Sequence, residues 1–263
     1  MRFWFFIILY LKINLLASCQ NSYFNKDVES DISEKNFFRI GTKVVELQKH
    51  GESGNQNYFF LTIHDNEQTA ITTSSEFITT MGGSYYQLVN DAQRNINFSW
   101  NHQTFTIDPN RIFTDIGILK TIKPEPAPGV VSAVSQFASF IISHLPADKT
   151  IVAVHNNTDG EYSINSYAKE LSSDAAKLHI NEDWDEDDFF ITTHPVIFEK
   201  LKEKNVNVVL QSDNATDDGS LSVYSALKNR DYINIEAQHG HNEQQFNMIA
   251  LVDAILKEGI KAK

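Results

Sequence analysis

The run Ile151-Val152-Ala153-Val154-His155-Asn156-Asn157-Thr158 has four consecutive apolar residues, then a histidine, then polar residues. A short apolar run rich in β-branched residues is typical of a strand that is buried on both faces. The rest of the chain alternates between runs of this kind and longer amphipathic stretches. This rhythm predicts an α/β fold, in which a mixed, mostly parallel central sheet is flanked by helices.

The same patterns predict eight strands and five helices along the chain. The predicted strands are Val44–Gln48, Tyr58–His64, Tyr86–Val89, Thr104–Ile107, Ile151–His155, Phe189–Thr192, Val206–Leu210 and Tyr232–Glu236. The predicted helices are Gln68–Thr79, Gly129–Leu145, Pro195–Lys204, Ser220–Lys228 and Glu243–Lys257. Ligands of such sheets bind beyond the carboxyl ends of the strands. His64, His155 and Glu236 each end a predicted strand, so they are the first candidates for chemistry.

The N-terminal residues have the composition of a secretory signal. Arg2 precedes an apolar stretch over residues 3–16, which only Lys12 and Asn14 interrupt, and no acidic residue occurs there. The stretch is shorter than the roughly twenty apolar residues that a transmembrane helix needs. Residues 1–18 are therefore predicted to be a cleaved signal peptide.

Cys19 is the single cysteine of the chain, and it follows a branched apolar residue and two small residues. This order resembles a lipoprotein box, in which the cysteine receives a lipid and becomes the new N-terminus. The alternative is an ordinary signal peptide followed by a stray cysteine. With a lipid on Cys19, residues 19–36 are a polar tether that holds the chain at a bacterial cell envelope, facing the periplasm or the exterior.

Residues 37–263 are predicted to form one domain. The chain has 263 residues, of which 41% are apolar, and this is enough for one sizeable core without disulfides. Its formal net charge is −12 at pH 7. So acidic a chain is a poor partner for nucleic acid or for anionic lipid, so we expect contact with a membrane through the lipid anchor alone.

Two strand ends carry side chains with the chemistry of metal ligands. His64 and Glu67 form an H-x-x-E pattern after one apolar strand, and His155 ends another. Three ligands of this kind leave a fourth position open for water, as in catalytic zinc sites. Each feature also has a simpler explanation. His64 and Glu67 are also compatible with a capping histidine and a glutamate at a helix start, and His155 with a hydrogen-bonded histidine at the edge of the core.

Two further features suit substrate chemistry. Asn110 and Arg111 follow Asp108-Pro109, and an arginine beside an asparagine presents planar donors to a carboxylate, although this segment is also good turn chemistry. Glu236 is the only acid of its predicted strand. A buried carboxylate is costly to keep charged, and general acid or base work is one reason to keep it.

Three polar segments have competing interpretations. The acidic run Glu182–Asp188 is either a calcium site or a solvated loop, and the loop Ser212–Gly219 is a connection or a lid before a helix capped by Ser220. His239 and His241 are candidates for ligand or substrate contacts, or belong to a simple loop.

The motifs together resemble the succinylglutamate desuccinylase and aspartoacylase family, a branch of the zinc carboxypeptidase fold. The family order is H-G-N-E, then D-L-N-R-x-F, then D-L-H-N-T, then a strand with the catalytic glutamate. The chain has, in the same order, His64-Asp65-Asn66-Glu67, Asp108-Pro109-Asn110-Arg111-Ile112-Phe113, His155-Asn156-Asn157-Thr158 and Glu236. The resemblance spans residues 58–241.

The resemblance implies one Zn²⁺ per chain and a zinc-dependent hydrolase of an amide or peptide bond. The implied roles are metal binding for His64, Glu67 and His155, substrate binding for Asn110, Arg111 and Asn156, and catalysis for Glu236 and Arg111. The implied substrate is a small peptide, an N-acyl amino acid or a peptide stem of the cell wall. The alternative is a non-catalytic lipoprotein that keeps the fold and binds metal or peptide.

The chain departs from the family pattern at several positions. Asp65 replaces the glycine of the first motif, and Pro109 replaces a leucine. Ala153 stands where the family has an aspartate two residues before the third ligand, so a contact that supports the metal site is missing or supplied elsewhere. No arginine occurs over residues 101–106, where some aspartoacylases bind the acyl carboxylate.

Overall fold

The computed structural model describes residues 31–52, 54, 56–127 and 129–259, which contain eleven strands and six α-helices. The strands are β1 (Ile32–Ile40), β2 (Lys43–Gly51), β3 (Tyr58–Thr62), β4 (Ser84–Val89), β5 (Ile96–Trp100), β6 (Gln103–Ile107), β7 (Thr150–Asn157), β8 (Ala175–His179), β9 (Phe189–Thr192), β10 (Val208–Gln211) and β11 (Tyr232–Gln238). The helices are α1 (Gln68–Met81), α2 (Asp115–Thr121), α3 (Val130–His144), α4 (Pro195–Glu203), α5 (Leu221–Leu227) and α6 (Asn242–Lys257). The predicted signal peptide and Cys19 lie outside the described residues. Within them, no helix has the length and apolar character to cross a membrane.

Nine strands form one mixed sheet in the order β1-β2-β4-β3-β7-β11-β9-β10-β8. The pairs at its centre, β4 with β3, β3 with β7 and β7 with β11, are parallel, as is the pair β9 with β10. The other four pairs are antiparallel. β5 and β6 form a separate hairpin. The predicted mixed α/β fold is confirmed, with the parallel strands concentrated at the centre of the sheet.

The central strands are buried on both faces. Ile151 of β7 packs in a core cluster with Phe137 of α3, whereas its neighbour Val152 packs in a second cluster with Phe77 of α1. Helices α2, α3 and α5 contribute to the first cluster, and α1, α4 and α6 to the second. Because successive side chains of a strand point to opposite faces, a strand between two helical layers is apolar at every position. This explains the continuous apolar run of β7.

All the predicted strands and helices are present, with ends that shift by a few residues. The predictions missed β1, β5, β8 and α2. Residues 32–36, which the sequence assigned to the tether, belong to β1. β1 pairs only with β2 among the described strands, and six of its nine residues, including Phe37, are exposed. An exposed edge strand does not need an apolar pattern, so its sequence looks like a polar segment. The division into signal, tether and domain otherwise stays a prediction.

Candidate metal centre

The candidate residues meet at one edge of the sheet, beyond the ends of β3, β7 and β11. His64 follows the end of β3 by two residues. His155 of β7 lies directly opposite Glu236 in the parallel pairing with β11. Glu67 is the residue before α1, so the turn between β3 and α1 carries it back toward His155. Parallel strands that end together therefore bring these four side chains to one place.

His64, Glu67 and His155 form a compact group with the two imidazole rings on either side of the carboxylate. His64 Nδ1 lies 2.9 Å from Glu67 Oε1, and His155 Nδ1 lies 2.9 Å from Glu67 Oε2. One ligand atom from each residue lies within 4.8 Å of the others. All three residues are buried. The structure thus brings together the three residues that the sequence proposed as metal ligands.

This group fits a divalent metal ion. His64 Nδ1 is buried and makes no hydrogen bond of acceptable angle within the described structure, although it lies close to Glu67. A buried nitrogen without a hydrogen bond is costly unless another partner uses its lone pair. Two imidazole nitrogens and one carboxylate are also the protein ligands of many catalytic zinc sites. The chemistry of the donors therefore matches the ion that the sequence implies.

Asp108 orients His64 through a hydrogen bond to the ring nitrogen that faces away from Glu67. His64 Nε2 donates a hydrogen bond to Asp108 Oδ1 at 2.8 Å, and that oxygen also accepts from the Asn110 N–H. A proton held on Nε2 leaves the lone pair of Nδ1 free to face an ion. Asp108 thus supplies for His64 the kind of supporting carboxylate that Ala153 does not provide.

The charges of the group are strongly coupled. Burial lowers the pKa of His64, but Glu67 and Asp108 outweigh it and raise that pKa to about 9. Burial raises the pKa of Asp108, but the hydrogen bond and charge of His64 lower it to about 2. Burial likewise acts against the ionised form of Glu67, yet the two histidines hold the pKa of Glu67 well below its usual range. A proton and a metal ion therefore compete for His64.

Glu236 is a buried carboxylate beside this group. Burial raises its pKa above the ordinary value, and the negative charge of Glu67 adds to the rise. The charge of His155 and a 2.8 Å hydrogen bond from Asn234 Nδ2 act in the opposite direction. A carboxylate with a raised pKa at the edge of a cavity is suited to take up and return a proton.

Arg94 belongs to the site and was missed by the sequence analysis. Its Nη1 donates to Glu67 Oε1 at 2.8 Å, and its Nη2 lies 3.7 Å from Asp108 Oδ2. Residues 101–106, which contain no arginine, form part of the hairpin of β5 and β6. The one available signal was its place after β4, because β4 is parallel to β3 and ends at the same edge of the sheet.

Asp65 connects the metal-binding turn to the loop of Arg94. Its Oδ2 accepts hydrogen bonds from the Asn90 and Ala92 N–H groups, both at 2.7 Å, and its Oδ1 accepts from Gln87 Nε2 at 3.2 Å. Ala92 has a φ of 55°, which is unfavourable for a residue with a side chain. The aspartate that replaces the family glycine therefore holds this strained turn in place.

The proposed substrate-binding residues line the same cavity, which has a volume of about 800 Å³. Arg111 Nη1 lies 3.3 Å from Asp218 Oδ2, and Asn110 Oδ1 accepts from the Leu221 N–H. The Asn156 side chain is engaged with the protein: its oxygen accepts from the Ala70 N–H, and its nitrogen donates to Gln245 Oε1. Substrate binding by these three residues stays a prediction.

The remaining candidates lie in separate places. His239 lines the main cavity, with its Nδ1 3.5 Å from Thr69 Oγ1. His241 lies at another, shallower pocket, where it forms a second possible ligand group with Asp185 and Asp188. Asp188 is buried and accepts a hydrogen bond from the Gln238 N–H. The acidic run is therefore partly a structural element of the fold, and its description as a solvated loop holds only for its exposed residues.

Comparison with known proteins finds no matching family model and no matching curated protein. Solved structures with similar backbones include tripeptide-bound cell shape determinant Csd4 from Helicobacter pylori, at 12% identity and a TM-score of 0.45 over 81% of this chain and 55% of that one. An aspartoacylase family protein from Mesorhizobium loti has 11% identity and a TM-score of 0.41 over 87% and 69% of the two chains. A Shewanella baltica protein proposed to be a metallopeptidase has 10% identity and a TM-score of 0.44 over 86% and 87%. The Mesorhizobium loti protein belongs to the family that the motifs resemble. Likenesses of this size carry no argument about function, which rests on the side chains of the site.

Proposed function

We propose that this chain is a zinc-dependent hydrolase that cleaves an amide or peptide bond. The observation that carries the proposal is the meeting of His64, Glu67 and His155 with the buried Glu236 at the edge of one cavity. Three protein ligands leave a position open for water at a catalytic zinc ion, and a separate carboxylate can carry the proton during hydrolysis. A structural zinc site, by contrast, is normally closed by four protein ligands.

When bound, a zinc ion lowers the pKa of water and polarises a carbonyl group. Glu236 then serves as the proton carrier. Its raised pKa brings it nearer to neutral pH, where a group both accepts and returns a proton. Asn234 fixes the orientation of the carboxylate through Oε1. Glu236 takes a proton from the attacking water and delivers it to the leaving amine.

The two arginines of the cavity have different roles in this proposal. Arg94 lies against the metal-binding carboxylate, so its guanidinium is placed to stabilise negative charge that develops on a substrate carbonyl oxygen. Arg111 is partly exposed in the same cavity and is suited to hold a substrate carboxylate with two parallel hydrogen bonds. Together they position the scissile bond over the metal-binding group.

The proposed place of action is the bacterial cell envelope, with the chain anchored by a lipid on Cys19. The signal-like N-terminus and the residues before Cys19 support this part of the proposal. The proposed substrates are small peptides, N-acyl amino acids or the peptide stems of the cell wall. The alternative function is that of a lipoprotein that binds metal or peptide without catalysis.

Zinc analysis combined with an activity panel tests the proposal. We expect about one zinc per chain in the purified protein and hydrolysis of at least one substrate among peptides, muropeptides and N-acyl amino acids. Glu236→Gln should keep the zinc but lower the rate by about 10² to 10⁴, because the proton carrier is lost. Glu203→Gln, at the exposed end of α4, is the control and should leave the rate unchanged. A zinc-loaded wild type that is inert on the whole panel would favour the binding lipoprotein.

A further inference from the structure

One wall of the cavity is apolar and aromatic. Tyr162, Tyr167, Leu171 and Ile191 line the cavity and belong to one hydrophobic cluster around the buried Phe189. The hydroxyl groups of Tyr162 and Tyr167 share a hydrogen bond of 2.6 Å, and both rings contact the ring of Phe189. This wall is fixed by packing and suits the methylene groups of an extended side chain.

Two carboxylates stand at the same wall. Asp218 is held through Oδ1 by the Ser220 N–H, while its Oδ2 faces Arg111. Asp174 is held through Oδ1 by the N–H and the hydroxyl group of Thr216. Both acids line the same cavity as Tyr167. Hydrogen bonds thus fix the orientation of two carboxylates in the cavity that the tyrosine wall lines.

The charges of the cavity do not balance. Among its described lining residues, only Arg94 and Arg111 carry a permanent positive charge, and they face Glu67 and Asp218 respectively. Asp174 has no arginine or lysine partner among the ion pairs of the described residues. A substrate carboxylate on Arg111 would also withdraw that arginine from Asp218. The cavity then offers two carboxylates beside an apolar wall, which is the complement of a cation on an aliphatic stem.

We propose that the substrate residue on the leaving-amine side carries a positively charged side chain, such as an alkylammonium or a guanidinium group. This inference rests on the proposed hydrolase function and names its substrate class. The terminal carboxylate of that residue binds Arg111, its methylene groups lie on the tyrosine wall, and its cation faces Asp218 and Asp174. An acidic leaving residue is excluded, because its second carboxylate would meet two like charges.

The test uses dipeptides that are blocked at the N-terminus and keep a free terminal carboxylate. They differ only in their last residue, which is lysine, norleucine or glutamate. Norleucine matches the lysine stem and lacks only the charge. Hydrolysis is measured as kcat/KM on the zinc-loaded protein, and binding is measured by calorimetry on the metal-free protein, so that one readout depends on neither metal nor catalysis. We expect the lysine peptide to exceed the norleucine peptide by about tenfold or more in both kcat/KM and binding affinity, and the glutamate peptide to have the lowest values. Raising the salt concentration should reduce the preference for lysine, which is the ratio of the affinity for the lysine peptide to that for the norleucine peptide.

Isosteric variants assign the effect to the two acids. Asp218→Asn and Asp174→Asn each keep the Oδ1 acceptor and remove only the charge. Each variant should move the ratio of the affinities for the lysine and norleucine peptides toward one. Asp213→Asn is the matched control, because Asp213 is an exposed residue of the same loop that does not line the cavity. Equal binding of norleucine and lysine by the wild type, or an unchanged ratio in both variants, would overturn the inference. Lysine-selective binding without hydrolysis would overturn only the proposed function, and hydrolysis without lysine preference would overturn only the inference.

Discussion

At the scale of single residues, Glu236 shows the cost of placing chemistry in a core. Burial and the neighbouring Glu67 raise its pKa above the ordinary 4.5, so the folded chain holds this proton more tightly than the unfolded chain. A carboxyl group with a raised pKa destabilises the folded state at a pH above that raised value, and the cost disappears as the pH falls below 4.5. The carboxylate is therefore kept for a reason other than stability.

The first prediction is that Glu236→Gln stabilises the metal-free protein. A neutral amide has the same shape and needs no charge in the buried site, so the melting temperature at pH 7 should rise by roughly 2–4 °C for each kcal/mol gained in a chain of this size. The gain should shrink as the pH is lowered toward 4.5, because the wild-type carboxyl group then becomes neutral. Thermal unfolding in the presence of a chelator measures both effects. A variant that melts below the wild type at pH 7 would contradict this account of Glu236.

Asp108 gives the second prediction at this scale. Asp108→Asn removes the carboxylate that holds the proton on His64 Nε2, while the side chain keeps its size. We expect zinc affinity to fall by about 10- to 100-fold, as is usual when a group that orients a metal ligand is altered. Competition with a chelator of known affinity measures the change. Asp183→Asn, at an exposed position of another loop, should bind zinc like the wild type.

At the scale of elements, the sequence predicts best the strands that are buried on both faces of the sheet. β3 and β7 have continuous apolar runs because helices cover both faces of the sheet, and the chemistry follows at the carboxyl ends of β3, β7 and β11. His64, His155 and Glu236 were identified from this rule. Arg94 was missed because it lies in an irregular loop, where periodicity gives no signal and the end of β4 is five residues away. The elements missed, such as β1 and α2, are exposed enough to carry mixed polar sequences.

The loop of Arg94 gives the third prediction. Asp65→Gly introduces the residue that the resembled family has, but it removes the acceptor of the buried Asn90 N–H group and of the N–H group of the exposed Ala92. A buried N–H group left unsatisfied costs about 1–3 kcal/mol, so the loss of the acceptor for Asn90 should lower the free energy of unfolding by about that amount. The displaced Arg94 should also lower kcat/KM by about 10²-fold, the usual effect of a misplacement near 1 Å.

A double-mutant cycle shows whether Asp65 acts through Arg94. If it does, adding Asp65→Gly to an Arg94→Ala background should change the rate little, because the group that Asp65 positions is already absent. Denaturant unfolding on the same variants separates the loss of stability from the loss of rate. Independent effects on the rate that simply add would show that Asp65 has another role in the site.

At the scale of the whole molecule, charge sets how the chain would meet a membrane. Removal of residues 1–18 takes away Arg2 and Lys12 and no acid, so the formal net charge changes from −12 to −14. A protein of that charge is repelled by anionic headgroups, and a basic surface patch of the usual kind is not expected to hold it there. If the mature chain is bound to a membrane, the attachment must therefore be hydrophobic, and the lipid predicted on Cys19 is the candidate.

The fourth prediction follows because salt weakens attachment to a membrane by charge but does not weaken attachment by a lipid. Wild-type protein should stay in the membrane fraction in high salt and leave it only in detergent, because acyl chains contribute about 0.8 kcal/mol per buried methylene and screening does not weaken them. Cys19→Ala should release the protein from the membrane or leave the unprocessed precursor. Fractionation with mass spectrometry of the N-terminus distinguishes these products. A Cys19→Ala protein that is processed at the same site and still bound to the membrane in high salt would remove the lipid anchor from the proposal while leaving the hydrolase site untouched.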